Sequence, residues 1–213
     1  MRELAELLDR APAIADVDPS DDPDDPDVAL GWLLRMARRT LDADPSPADP
    51  ARLGALRAAL AERPARDEAL GQLHIDAASC IRRAELVLDD GPILAVGDDD
   101  GVSLALELLG AREVHVVDLD ERLLAFLAPH VEGTHRANVL EEAVPADLRA
   151  RFASVVTDPF RDLDGGLGFL CFAAACVREG GDLFWVDHPD WNYEHGAVRA
   201  AMRELGWEIV ETH

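Results

Sequence analysis

At 213 residues, 48% of them apolar, the chain has room for one α/β domain with a small helical extension, and wholesale disorder is excluded. Its 43 acidic residues face 20 basic ones, every one an arginine, for a formal charge of −23. A field of that sign repels phosphate backbones and anionic lipid, which argues against nucleic acid and membrane surfaces as partners, and it draws in cations such as polyamines.

Residues 1–70 read as a helical N-terminal region. Leu4, Leu7 and Leu8 keep helical spacing, and the acidic stretch 16–27, with Pro19, Pro23 and Pro26, is a solvated loop. Asp27 is placed to cap a helix carrying Leu30, Leu33, Leu34 and Met36. Pro45 and Pro47 break the chain again before a helix with Leu53, Leu56 and Leu60. Residues 71–213 form the second region. A connector leads into an amphipathic helix over 77–88, after which strands and helices alternate. Strands are expected at 92–97, 113–118, 132–137, 152–158, 182–186 and 207–210. Helices are expected at 102–109, 121–127, 167–177 and 194–205. That order predicts a mostly parallel, doubly wound sheet with helices on both faces. Cys80, Cys171 and Cys176 lack metal-ligand spacing, and Cys171 and Cys176, in an apolar helical run, read as reduced buried thiols. No run reaches the ~18 apolar residues of a membrane span, and Met1-Arg2-Glu3-Leu4 opens no apolar signal core, so the expected location is the cytoplasm.

In such sheets a ligand sits beyond the carboxyl ends of the strands, where the strand order reverses. The first strand there runs into Gly97-Asp98-Asp99-Asp100-Gly101, and 21 residues after Gly97 the second strand ends in Asp118. Gly97 and Gly101 permit a tight turn close to a ligand, and Asp118 stands where an acid accepts hydrogen bonds from ribose hydroxyls. A pyrophosphate site would put bare amides in this loop, whereas three carboxylates repel an anion and welcome a cationic nucleoside. S-adenosylmethionine and its decarboxylated form are both sulfonium ions. The carboxylate of the intact form would meet the Asp cluster, and like charges ~4 Å apart cost several kcal/mol at a protein surface, so the cluster favours the decarboxylated donor. One aspartate at a helix start is an ordinary cap; three in succession exceed that need.

These residues resemble those of the branched-chain polyamine synthases, the N4-bis(aminopropyl)spermidine synthases. The resemblance is carried by Gln72-Leu73-His74, Ile81-Arg82-Arg83-Ala84, Ile93-Leu94-Ala95-Val96-Gly97-Asp98-Asp99-Asp100, Ser103-Leu104-Ala105-Leu106, the segment from Val116 to Leu123, and Val156-Thr157-Asp158-Pro159. It implies a Rossmann-like, class I methyltransferase-like fold. It also implies transfer of aminopropyl groups from decarboxylated S-adenosylmethionine to an amine of spermidine, with release of 5′-methylthioadenosine. An acid within Asp98, Asp99 and Asp100 is then the proton acceptor, Asp98 the first choice and Asp99 the second, and the enzyme is a homodimer. The family's Thr-Asp-Pro-Pro-Glu signature is here Thr157-Asp158-Pro159-Phe160-Arg161. Asp158 with Phe160 then resembles a shortened turn of the kind that grips an acceptor nitrogen. After the fifth strand, Asp187, His188, Trp191 and Tyr193 lie at the same mouth, with rings able to cover an ammonium by cation–π contact. Asn138 stands where such folds often place an acid against adenine N6. No metal site is expected, since His188, Asp187, Asp190 and His195 form no tight ligand motif. Two alternatives remain: a methyltransferase or aminocarboxypropyl transferase using intact S-adenosylmethionine, and a non-catalytic binder of polyamine or nucleoside on the same scaffold.

Overall fold

A computed structural model describes residues 49–159, 163–186 and 195–208. Five strands, β1 (Ile93–Val96), β2 (Val114–Asp118), β3 (Gly133–Arg136), β4 (Phe152–Thr157) and β5 (Val177–Trp185), form one sheet in the order β3-β2-β1-β4-β5. Every neighbouring pair is parallel. Among the described residues, six α-helices accompany them: α1 (Pro50–Leu60), α2 (Ala77–Val87), α3 (Val102–Leu109), α4 (Glu121–Leu127), α5 (Leu163–Cys176) and α6 (His195–Glu204). None of these helices is long and apolar enough to cross a membrane.

All four residues of β1 and all six of β4 are buried, as strands covered on both faces must be. Side chains alternate along β1. Ile93 and Ala95 join a core built with Leu56 of α1, Ile81 and Ala84 of α2, Leu104 and Leu106 of α3, and Leu123 and Leu127 of α4. α5 packs against β1, β4 and β5, burying Leu170, Phe172 and Ala173. Cys176 of this helix is buried as expected, whereas Cys171 is exposed. Several helices start where an aspartate accepts the first free amides: Asp49 from Ala51, Asp76 from Ala78 and Ser79, Asp120 from Arg122.

The chain divides into a compact unit over Pro47–Ala201 and a second comprising Met1–Ser46 with Met202–His213. In the second, the described residues end α6 in a left-handed Gly206 (φ +90°), whose amide and that of Trp207 return to the carbonyls of Arg203 and Met202.

The structure departs from the sequence reading in three elements. α5 starts at Leu163 rather than 167: Gly165 and Gly166 weaken the helical signal but are buried inside the helix. β5 starts at Val177 rather than 182, because an irregularity lets Phe152 pair with Val177 and Ser154 with Asp182. Gly180 there has φ +72°, and a Cβ on Gly181 would come 2.7 Å from the Ala153 carbonyl. Trp207 and Glu208 are not in a strand, and the remainder of the strand expected at 207–210 lies outside the described residues. The helix expected around Leu30 to Met36 also lies outside them.

Candidate functional site

The sheet order reverses between β1 and β4, and the carboxyl ends of these two strands are where a doubly wound sheet is expected to take its ligand. Gly97 and Gly101 bracket the turn after β1 with φ of +72° and +82°, a conformation that favours glycine. A Cβ on Gly97 would come 2.9 Å from the Phe169 ring, and one on Gly101 2.6 Å from Leu60 Cδ2. The room left by each missing side chain is therefore taken by protein, and both glycines serve the shape and packing of the turn on that side.

The three aspartates between them have separate surroundings. Asp98 is 1% exposed and caps α3, its carboxylate accepting the amides of Val102 at 2.8 Å and Ser103 at 3.2 Å. Burial pushes its pKa up to about 7 against the pull of Ser103 and Val102. Asp99 is half-buried. Its Oδ2 accepts the Leu73 amide at 2.9 Å, and its Oδ1 has no hydrogen-bond partner among the described residues. Burial, followed by the neighbouring Asp100, pushes this carboxyl up to about 7 as well. Asp100 is 3% exposed; one oxygen accepts the Ile75 amide at 2.8 Å and the other meets Arg83 Nη1 at 2.8 Å.

Arg83 Nη1 also reaches Asp158 Oδ2, at 2.9 Å, from the first position past β4. Burial raises the Asp158 pKa while Arg83 opposes the rise. Asp118, at the end of β2, accepts the Asp120 amide at 2.8 Å and the Asp98 amide at 3.2 Å, and burial raises its pKa too. A carboxylate has about four acceptor positions, so Asp118 keeps capacity for hydroxyl donors. The side-chain oxygen of Asn138 closes a turn on the Leu140 amide at 3.1 Å, two residues past β3. Phe160, Asp187, His188, Trp191 and Tyr193 lie outside the described residues. The structure thus joins Asp98 to Asp118 through one hydrogen bond, and Asp100 to Asp158 through one guanidinium. Acids whose proton affinity burial has raised toward neutrality can hold a cation and accept its proton.

Residues 53–183 match the family described as the branched-chain polyamine synthase A C-terminal domain. The chain belongs to that family. It is also 34% identical over 161 residues to an uncharacterized protein of Methanocaldococcus jannaschii, a match covering 70% of this chain and 41% of that one. The crystal structure of the branched-chain polyamine synthase from Thermus thermophilus, in complex with N4-aminopropylspermidine and 5′-methylthioadenosine, superposes with a TM-score of 0.55 at 25% identity. That match covers 59% of this chain and 40% of the synthase, so the chain spans about two fifths of the length of these relatives. A candidate RNA methyltransferase of Pyrococcus horikoshii shares the Rossmann-like fold, with a TM-score of 0.50 at 17% identity over 73% of this chain and 80% of that one.

In this domain, sequence reasoning missed the segment between α1 and α2. Arg63 Nη1 donates to the carbonyls of Asp99 at 2.6 Å and Asp100 at 3.1 Å, and the Cys80 thiol donates to the Asp100 carbonyl at 3.1 Å. Gln72 Nε2 donates to Asp120 Oδ2 at 3.1 Å, while its Oε1 accepts the Asp67 amide at 2.6 Å. These side chains and the Leu73 and Ile75 amides strap the acidic turn in place. Gln72 and Arg83 both stand in segments that carry the family resemblance, which was the available signal.

Proposed function

We propose that the chain transfers an aminopropyl group from decarboxylated S-adenosylmethionine to an amine of a spermidine-like polyamine, releasing 5′-methylthioadenosine. The observation that carries this reading is the convergence of Asp98, Asp99, Asp100, Asp118 and Asp158 at the switch point, with Arg83 as the one basic side chain that ion-pairs with any of them among the described residues. A donor bearing ammonium and sulfonium but no carboxylate suits that excess of negative charge. Family membership and the polyamine held by the Thermus thermophilus synthase support the same reading.

Asp118 is assigned to the donor's ribose hydroxyls and Asn138 to the adenine edge. Asp158 is assigned to the acceptor nitrogen, with Phe160, Asp187, His188, Trp191 and Tyr193 around the acceptor. Asp99, rather than Asp98, takes the role of base. Its Oδ1 has no hydrogen-bond partner among the described residues and burial pushes its pKa up to about 7, whereas the Asp98 carboxylate is committed to the first amides of α3. The amine loses its proton to Asp99 and its lone pair forms a bond to the methylene carbon beside sulfur. As that bond forms, the carbon–sulfur bond breaks in line with it, its electron pair goes to sulfur, and a neutral thioether leaves. Positioning of the two reactants supplies much of the remaining acceleration.

Release of 5′-methylthioadenosine from decarboxylated S-adenosylmethionine, measured with and without spermidine, tests the reading. Spermidine-dependent release is expected. Binding of intact S-adenosylmethionine in preference to the decarboxylated form, measured by calorimetry, would replace it with methyl or aminocarboxypropyl transfer.

A further inference from the structure

The acidic mouth contains two carboxylates from different parts of the fold that share one cation. Arg83 Nη1 is 2.8 Å from Asp100 Oδ2 and 2.9 Å from Asp158 Oδ2. The side chain is 18% exposed and springs from α2, whose Cys80, Ala84 and Val87 are anchored in the core. A guanidinium remains charged at any working pH, so it offsets negative charge on the two carboxylates that share it. An amine hydrogen-bonded to Asp158 lies within a few ångströms of that fixed positive charge.

We propose that Arg83 is a positioning residue for the acceptor: it offsets Asp158 and Asp100 so that the amine is held there by hydrogen bonding as the free base, instead of being locked as an ammonium ion. The inference rests on the aminopropyl-transfer reading. Two uncompensated carboxylates would stabilise the protonated amine, which has no lone pair to give. A positive charge beside it acts in the opposite direction and drives the proton toward a nearby base. Asp99, with its free oxygen and raised pKa, is the described group suited to receive it.

The other titratable groups facing this trio do not replace Arg83. Asp98 and Asp99 are acids and add negative charge. Cys80 is a thiol whose pKa burial pushes up to about 12, so it stays neutral. His74 has its pKa lowered, first by burial and then by Arg63. Arg63 is charged as well, but its hydrogen bonds go to the carbonyls of Asp99 and Asp100, and among the described residues it pairs with neither the Asp100 nor the Asp158 carboxylate.

The test is a carbon-13 NMR titration of labelled spermidine bound to the protein together with 5′-methylthioadenosine. The methylene carbons flanking the secondary nitrogen report its protonation directly. In the unmodified protein the midpoint is expected no higher than that of free spermidine. Arg83→Gln should raise it by about one pH unit or more, a tenfold gain in proton affinity, and Arg83→Lys should keep the unmodified value. Identical midpoints in the unmodified and Arg83→Gln proteins would overturn the proposal. So would a midpoint in the unmodified protein above that of free spermidine, which needs no variant to fold. Absence of spermidine binding to the unmodified protein would instead remove the transfer reading itself, and the proposal with it.

Discussion

Strand β2 carries a polar cluster at each end. At its start, Glu113 Oε1 receives Arg151 Nη2 at 2.7 Å and faces His115 Nε2 at 3.2 Å, while His115 Nδ1 meets His135 Nε2 at 3.1 Å. The Arg151 guanidinium also lies over the Phe152 ring, 5.2 Å from its centre. Every acid there has a basic partner, and Arg151, then His115, hold Glu113 below the usual carboxylate range. At the other end, Asp118, Asp98 and Asp99 are bonded to backbone amides, and burial pushes all three upward. A cluster whose charges cancel contributes to holding the sheet together. One whose charges do not cancel weakens the fold until a cation arrives, which is the usual relation of a binding site to stability.

The largest effect that would break this contrast is catalytic. Asp99→Asn should lower transfer by about 10²–10⁴-fold, as loss of a general base does, with the melting transition intact; methylthioadenosine release measures it. If Asp99→Asn were fully active and Asp98→Asn inactive, cap and base would have to be exchanged. Asp98→Ala comes next. It leaves the Val102 and Ser103 amides without their acceptor inside the protein and should cost about 1–3 kcal/mol in urea unfolding, whereas Asp98→Asn, which keeps an acceptor oxygen, should cost less. At the opposite end of β2, Arg151→Met should cost about 1 kcal/mol or less, because the pair is partly exposed, and leave transfer unchanged.

The gentlest test is pH, to which the two clusters respond with opposite sign. Asp98 and Asp99 bind protons more tightly folded than unfolded between the ordinary carboxylate range near pH 4 and about pH 7. Their contribution to stability therefore declines as pH rises through that window. Glu113 has a lowered pKa, so its contribution is present above the ordinary range and is lost as pH falls below it. Melting temperatures from pH 3 to pH 9 should show Asp99→Asn flattening the decline and melting above the unmodified protein at pH 8. Glu113→Gln should remove part of the loss on the acid side.

Much of this was readable in the residues. The buried strands ending in Gly97, Asp118 and Asp158 announced a parallel sheet that brings those three positions to one edge, since apolar runs and turn residues encode strands locally. The division of labour among Asp98, Asp99 and Asp100 was not readable. Three adjacent carboxylates look alike until the chain's path shows that one turns back onto the α3 amides and the next faces Leu73. Bonds such as Arg63 to the Asp99 carbonyl join residues 36 apart and leave no periodic trace. The early start of β5 was hidden for another reason, since its glycines suggest a break where an irregular pairing uses them.

Leu60 fills the hollow above Gly101, and Arg63 grasps the two carbonyls before it. A chain begun at residue 71 would keep all five strands yet release the acidic turn from above. A fragment meant to keep that turn's geometry must then begin before α1, and any transplant of the Gly-Asp-Asp-Asp sequence into another Rossmann scaffold would need that helix to travel with it.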